Sequence, residues 1–332
     1  MIPADVSLGA TKLTFAGAWN EAPAVITEDV VVTPMAEIAS NINGVLANLS
    51  IYSDFNVNLF VPIEYKAAIT SIKVGEVALE TVDVDMDGDG TADYVKVTYK
   101  VACDKATADV VFTISINDGE NTATCTATVN VASYAETILK GEYTAEDKQL
   151  MYYMAAYANE AYKYFAASET DDATLAALLT TYADAKGEYV ASGEYAEAIA
   201  DTKLGDAFAS ATVDLGSAPR FVLTLKDGFA GTVTVTYGPN TYTKTVTATD
   251  SRVLVIDGMK AYNFIVTLDV TAEGTIGEAA VSVAGNYNLD TFVKYHVENA
   301  ASESETAAES QKCLALLKAF YDYVVIANAY KA

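Results

Sequence analysis

The sequence has little of what most catalytic sites use. It holds one histidine, His296, one tryptophan, Trp19, and three cysteines, Cys103, Cys125 and Cys313, in 332 residues. A single imidazole excludes a histidine metal cluster. A Ser-His-Asp or Cys-His arrangement would have to use His296 in "VKYHVEN", and no G-x-S-x-G elbow is present to meet it. The phosphate-cradling patterns GxxxxGK and GxGxxG are also missing. Paired carboxylates could hydrolyse glycosides, yet among 45 acids no pair stands out. An odd cysteine count excludes a fully paired framework. Basic residues are scarce too, 20 against 45 acids, for a formal net charge of -25. That balance repels nucleic acid and anionic membrane surfaces and favours cations. Apolar runs such as "AALL" and "YVVIANAY" fall short of a membrane span, so no membrane insertion is expected. "MIPADVSLGATKL" has neither a basic start nor an apolar core, so no signal peptide is expected there.

What is present is β-patterned sequence interrupted twice by helical sequence. Hydrophobic residues make up 52%, enough for real cores in two or three domains. "FNVNLFV" puts Phe55, Val57, Leu59 and Val61 on one face, and "DYVKVTYKV" does the same with Val95, Val97, Tyr99 and Val101. "ADVVFTISI" and "TATCTATVNV" follow, joined by the turn "NDGEN". In that antiparallel pairing Cys125 falls opposite about Ile114 and Cys103 near a strand end, so no disulfide is expected. "KLTF" and "EDVVVTP" read as edge strands of the same domain. "TAEDKQLMYYMAAYANEAYKYF" then changes period, with Leu150, Met154, Tyr157, Ala161 and Tyr164 on one helical stripe after an approximate capping box, Thr144 and Asp147. A second helix begins near "TDDATLAALLTTYADAK". Strands return in "RFVLTL", "GTVTVTY", "YTKTVTA", "RVLVI", "YNFIVTLDV" and "AAVSVA". The end is helical: "LDTFVKYHV", then a helix opened by Thr306 and Glu309 with Leu314, Leu317, Tyr321 and Val324 on its stripe.

The expected architecture is α+β multidomain, two antiparallel β-sandwich (Ig-like) domains alternating with helical hairpins. The divisions are 1–132, a β-sandwich carrying the loop described next; 133–203, a helical hairpin; 204–288, a second β-sandwich; and 289–332, a helical pair. The helical parts look like copies. A shift of 164 residues places Lys148 on Lys312, Leu150 on Leu314, Ala155 on Ala319 and Tyr157 on Tyr321.

One loop concentrates the acidity. "ETVDVDMDGDGTADYVKV" spells D-x-D-G-D-G-x-x-D from Asp85 to Asp93, between two strand-like runs. Calcium takes six to eight oxygens, mostly carboxylates and carbonyls. Asp85, Asp87 and Asp89 alternate, Gly90 permits a sharp turn, the carbonyl of Thr91 supplies an oxygen and Asp93 closes the shell. Counted from Asp83 or Asp85, the twelfth position is Tyr94 or Lys96, so a helix-loop-helix site is excluded. A solvated Asp-Gly hairpin is the alternative. The spacing resembles the calcium hairpin loops between strands of propeller-type surface proteins.

Three further segments carry a second resemblance. "GVLANLSIYSDFNVNLFVP", the run from "VNVASYAETIL" to "NEAYKYF", and "IDGMKAYNF" resemble modules of large secreted proteins on the surfaces of Gram-positive gut anaerobes. Those modules alternate a small β domain with a Tyr- and Ala-rich helical pair. The resemblance spans most of residues 42–332 and implies an extracellular or cell-surface location without catalysis. "MAAYANEAYKYF" lacks the glycine of the usual helix pattern, and "LLKAFYDYVVIANAY" keeps only part of it.

There are 22 tyrosines, and Tyr52, Tyr152, Tyr162, Tyr242 and Tyr287 are candidates for exposure, where tyrosine suits recognition. The expected function is a non-enzymatic binding or adhesion module, with calcium as cofactor and a host protein or glycan as partner. A structural spacer or surface-lattice subunit, with self-association, and an inert module carried beside a secreted enzyme are the alternatives.

Overall fold

The computed structural model describes residues 42, 44–51, 55–117, 122–166, 170–188, 204–216, 218–299 and 307–331, with three short strands nearer the start. The chain divides into two units. The first comprises Met1–Ile51, Phe55–Ala155 and Ala173–Ala185, and the second Tyr52–Asp54, Ala156–Asp172 and Lys186–Ala332. Among the described residues the secondary structure is α+β, with antiparallel sheets and five α-helices.

In the first unit, β1 (Leu13–Thr14) pairs with β2 (Val25–Ile26). A five-stranded sheet has the order β3-β11-β10-β6-β7, from β3 (Val31–Thr33), β6 (Ile69–Val74), β7 (Val77–Ala78), β10 (Asp109–Asn117) and β11 (Thr122–Asn130). "EDVVVTP" therefore supplies an edge strand, as its sequence suggested. A four-stranded sheet has the order β4-β5-β9-β8, from β4 (Leu46–Ile51), β5 (Phe55–Pro62), β8 (Val82–Val84) and β9 (Tyr94–Val101).

The alternation in β5 buries Phe55, Val57, Leu59 and Val61 almost completely. Its other face is buried too, which alternation does not announce. Asn58 Nδ2 donates to Asn48 Oδ1 and Ser50 Oγ, both at 2.7 Å, and Asn58 Oδ1 accepts Thr98 Oγ1 at 2.7 Å. Cross-strand amide and hydroxyl pairing offsets the cost of placing these groups away from water. Ile114 lies opposite Cys125, as expected, and Cys103 sits in a 3-10 turn after β9. No disulfide joins the three cysteines, and burial pushes the Cys125 thiol up.

Helix α1 (Val131–Lys140) starts at Asn130, whose Oδ1 accepts Ser133 N at 3.1 Å. It packs on α3 (Ala173–Thr181). Between them α2 (Ala145–Phe165) passes from the first unit to the second. Its start is a complete reciprocal box with aspartate in the usual glutamate place. Thr144 N donates to Asp147 Oδ2 at 3.1 Å, and Asp147 N donates to Thr144 Oγ1 at 3.1 Å. The stripe Leu150, Met154, Tyr157 and Ala161 is buried, while Tyr164 emerges to 37% exposure.

The second unit contains a three-stranded sheet, β12-β13-β16, from β12 (Phe208–Asp214), β13 (Arg220–Leu225) and β16 (Val253–Ile256). A four-stranded sheet runs β15-β14-β17-β18, from β14 (Phe229–Tyr237), β15 (Asn240–Val246), β17 (Leu268–Ile276) and β18 (Ala279–Tyr287). Helices α4 (Leu289–Asn299) and α5 (Ala307–Lys331) complete it. Two expectations are corrected here. "YNFIVTLDV" is not one strand: Ala261–Asn263 form a 3-10 turn and β17 begins at Leu268. Phe264 after that turn is fully buried, stacked on Phe221 at 5.2 Å and edge-on to Phe320 of α5 at 5.1 Å. Packing of that ring overrides strand propensity. Tyr287 is also not a surface tyrosine. It is 7% exposed, lies edge-on to Phe221 and donates its hydroxyl to Ala211 O.

The sequence-similar helices meet through their aromatic residues. Tyr157 of α2 stacks on Tyr323 of α5, with centroids 5.6 Å apart, and is tilted on Phe320 at 5.2 Å. The span Gln311–Tyr330 is long and apolar enough in composition to cross a membrane. Leu317, Phe320, Val324 and Ala327 within it are buried in the core, which accounts for that composition. Trp19, Tyr52, Gly193, most of "NDGEN" and the Thr306 cap lie outside the described residues.

Candidate metal centre

The acidic loop is the hairpin connection between β8 and β9, whose last ladder pair is Val84 with Tyr94. Asp93 N donates to Val84 O at 2.9 Å and closes the loop, and Ile63 N donates to Asp93 O at 2.8 Å. Inside, carboxylates replace backbone carbonyls as acceptors. Asp85 Oδ1 accepts Gly88 N and Asp85 Oδ2 accepts Gly90 N, each at 2.7 Å. Asp87 Oδ1 accepts Asp89 N at 3.1 Å, Asp89 Oδ1 accepts Thr91 N at 2.7 Å, and Asp93 Oδ2 accepts Met86 N at 2.7 Å. Asp87 and Asp89 make the local turn in which aspartate binds the backbone two residues on, whereas Asp85 reaches three and five residues on and Asp93 seven residues back. Gly88 and Gly90 have φ of 78° and 91°, a region other residues enter at a cost, so both glycines are needed.

These turns bring three of the five expected ligands together. One carboxylate oxygen from each of Asp85, Asp87 and Asp89 lies within 4.8 Å of the others. Asp85 is half-buried, while Asp87 and Asp89 are exposed. Asp93 is half-buried and committed to the Met86 amide, outside that trio. Thr91 is exposed and its amide serves Asp89. Asp83 is set apart: its carboxylate meets Lys66 Nζ at 2.5 Å. The Gly90 amide, aided by Gly88 and Asp89, holds the Asp85 carboxyl below its ordinary value.

The donor set is chemically suited to a hard divalent cation. All candidate ligands are oxygens, and a carboxylate oxygen that accepts one amide keeps a second lone pair. Three side-chain carboxylates leave the remaining positions to backbone carbonyls and water. Among the described residues this is the one group of three or more acidic, histidine or cysteine side chains so placed.

Other candidates disperse. His296 of α4 lies against the Phe292 ring at 4.3 Å and beside Tyr295. Tyr152, Tyr162 and Tyr242 are half-buried. Sequence reasoning missed the most exposed aromatic groups among the described residues, Tyr295 at 58% with Tyr164 and Phe165 at 37% each. Tyr164 continues the α2 stripe one turn beyond its packing, a limit the periodicity does not reveal. A scan of protein-family models and a search of curated proteins each find no match to this chain.

Proposed function

We propose that the chain is a non-enzymatic module of a secreted or cell-surface protein, binding a host protein or glycan, with one calcium ion stiffening its first β domain. The observation that carries this reading is the convergence of Asp85, Asp87 and Asp89 on a hairpin loop whose amides already face its carboxylates. Bringing three anions this close costs electrostatic energy, which a bound cation offsets. Asp93 and the Thr91 carbonyl complete the proposed shell. The role is structural: the ion rigidifies the loop and the ends of β8 and β9, outside the cell where calcium is plentiful.

The same reading treats the two β regions as Ig-like sandwiches alternating with helical pairs. Support comes from two multistranded antiparallel sheets in each unit, and in the second unit from the Phe221–Tyr287 contact joining its sheets. The exposed rings of Tyr164, Phe165 and Tyr295 supply apolar area of the kind that recognition surfaces use. Thermal unfolding in chelator and in millimolar calcium tests the loop. A rise in melting temperature with calcium is expected, and superimposed curves would reduce the loop to an acidic hairpin. Glycan arrays and serum-protein pull-downs test the partner. Calcium-dependent self-association in light scattering, without a ligand, would instead favour a lattice subunit.

A further inference from the structure

Edge strands expose unpaired N–H and C=O groups, and proteins protect them with charge, proline, bulges or brevity. Most edges here are protected in one of these ways. β7 and β8 are two and three residues long, and β16 is four. β12 has a register shift between Phe208 and Ser210 and ends in Asp214, paired with Arg220. β15 alternates exposed Thr243 and Thr245 with Lys244, half-buried on the other face. β4 is uncharged, but most of it is buried. β18 is different. Its sequence, "AAVSVAGNY", runs nine residues with no charge and no proline. It pairs with β17 without a bulge from Leu268–Tyr287 to Ile276–Ala279, and no other strand joins it among the described residues.

We infer that the free edge of β18 pairs antiparallel with β18 of a second copy of this chain, about a two-fold axis at Val283. That register puts Ser282 opposite Ala284, Val281 opposite Gly285 and Ala280 opposite Asn286 of the mate. Every facing pair is uncharged and, apart from the terminal Ala279–Tyr287 pair, in which the Tyr287 ring is packed inward on Phe221, small, so one segment satisfies both sides, as an isologous interface requires. The half-buried Val283 meets its own mate at the axis, beside the Gly205 backbone that already lies against it within the copy, and the half-buried Val281 stands opposite the mate's Gly285. Charge argues for this edge over others. A chain of net charge -25 repels its own copies, and β18 brings no acid across nine residues. Exposed Glu278 lies just outside the nine paired positions, in the turn before Ala279, and the acids within the sheet, Asp269 and Glu273, stand one strand further in on β17, about 5 Å away per strand. Association therefore strengthens with salt. It goes beyond the calcium reading and does not depend on it.

Sedimentation velocity of the full chain across a concentration series, in chelator at low and high salt, tests it. The expected mass rises from 35.2 kDa to twice that value, at lower concentration when salt is high. Hydrogen exchange across residues 279–287 should slow as the dimer fills. Ser282→Lys with Ala284→Lys sets like charges opposite each other twice per dimer and should weaken association by about tenfold or more. Ser282→Glu with Ala284→Lys sets opposite charges in the same places and should restore it. Both positions are exposed, and unchanged melting temperatures confirm that the variants fold. A wild-type chain that stays at 35.2 kDa throughout overturns the proposal. So does association that requires calcium, a double-lysine variant that associates like wild type, or a charge-paired variant that folds but fails to recover.

Discussion

Asp85 accepts two amides where Asp87 and Asp89 each accept one, and that difference separates loop folding from ion binding. Asparagine keeps one acceptor oxygen and removes a charge from the crowded trio, so Asp87→Asn with Asp89→Asn should hold or raise the melting temperature in chelator while abolishing the rise with calcium. Asp85→Asn exchanges one of two used oxygens for a donor and should lower the melting temperature even in chelator. Equal chelator curves for both variants would show that the Asp85 turn contributes nothing. Acid should act in the same direction. The folded Asp85 value lies below its ordinary one, so its contribution is present above about pH 4 and lost as pH falls through the folded value. Asp322 on α5 has the opposite sign. Burial pushes its carboxyl up to about 6, against the pull of Lys186 and Lys318, and its Oδ1 is buried without a hydrogen bond. The folded state then binds the extra proton between about pH 4 and that value. Its stabilising contribution is full below the unfolded value and lost as pH rises through 6. Asp322→Asn should therefore stabilise the protein at pH 7, by on the order of 1 kcal/mol after allowing for partial exposure, and have little effect at pH 4. Parallel melts at the two pH values read the difference directly.

Elements show where sequence patterns stop being informative. Alternation located β5, β9, β10 and β11 because each has an apolar face to bury, and the Ile114–Cys125 register followed from the hairpin. The same alternation marks Asn56 and Asn58 as outward-facing, yet both are buried, since burial there depends on what covers the sheet. "YNF" carries strand-like residues but turns, because Phe264 is fixed by Phe221 and Phe320 from distant parts of the chain. The α2 start was legible because capping is local. Asp147→Ala removes the carboxylate that accepts both Thr144 groups, and it should cost about 1 kcal/mol in denaturant unfolding. A second element-scale outcome comes from two glycines that no turn explains. Gly231 of β14 lies directly opposite Gly274 of β17, and a Cβ on Gly274 would stand 2.1 Å from Ala230 O. Gly274→Ala must push the strands apart, so it should lower the melting temperature more than Ala280→Gly at an exposed position of β18. Equal effects would mean that the β14–β17 ladder yields freely.

At the scale of the whole molecule, the β, α, β, α order was legible from changes of period. The division into two units was not, because α2 crosses it and its aromatic residues find partners in α5, more than 150 residues later. No periodicity reports a contact at that separation. The division gives the calcium reading its sharpest consequence, since the loop lies wholly in the first unit. An ion bound only by the folded state adds RT ln(1 + [L]/Kd), about 2.7 kcal/mol at a hundredfold excess over Kd. That gain belongs to the unit that binds. Hydrogen exchange should therefore slow at residues 84–101 when calcium replaces chelator, and stay unchanged at 229–237 and 268–287. Magnesium should do much less, because its smaller octahedral shell gives up water reluctantly. The Asp87→Asn, Asp89→Asn variant should show the chelator pattern in all three solutions. Equal slowing in both units would point to general charge screening of a chain at -25. Equal slowing by magnesium at the loop would point to loose counter-ion condensation on the carboxylates, and either result removes the specific calcium site.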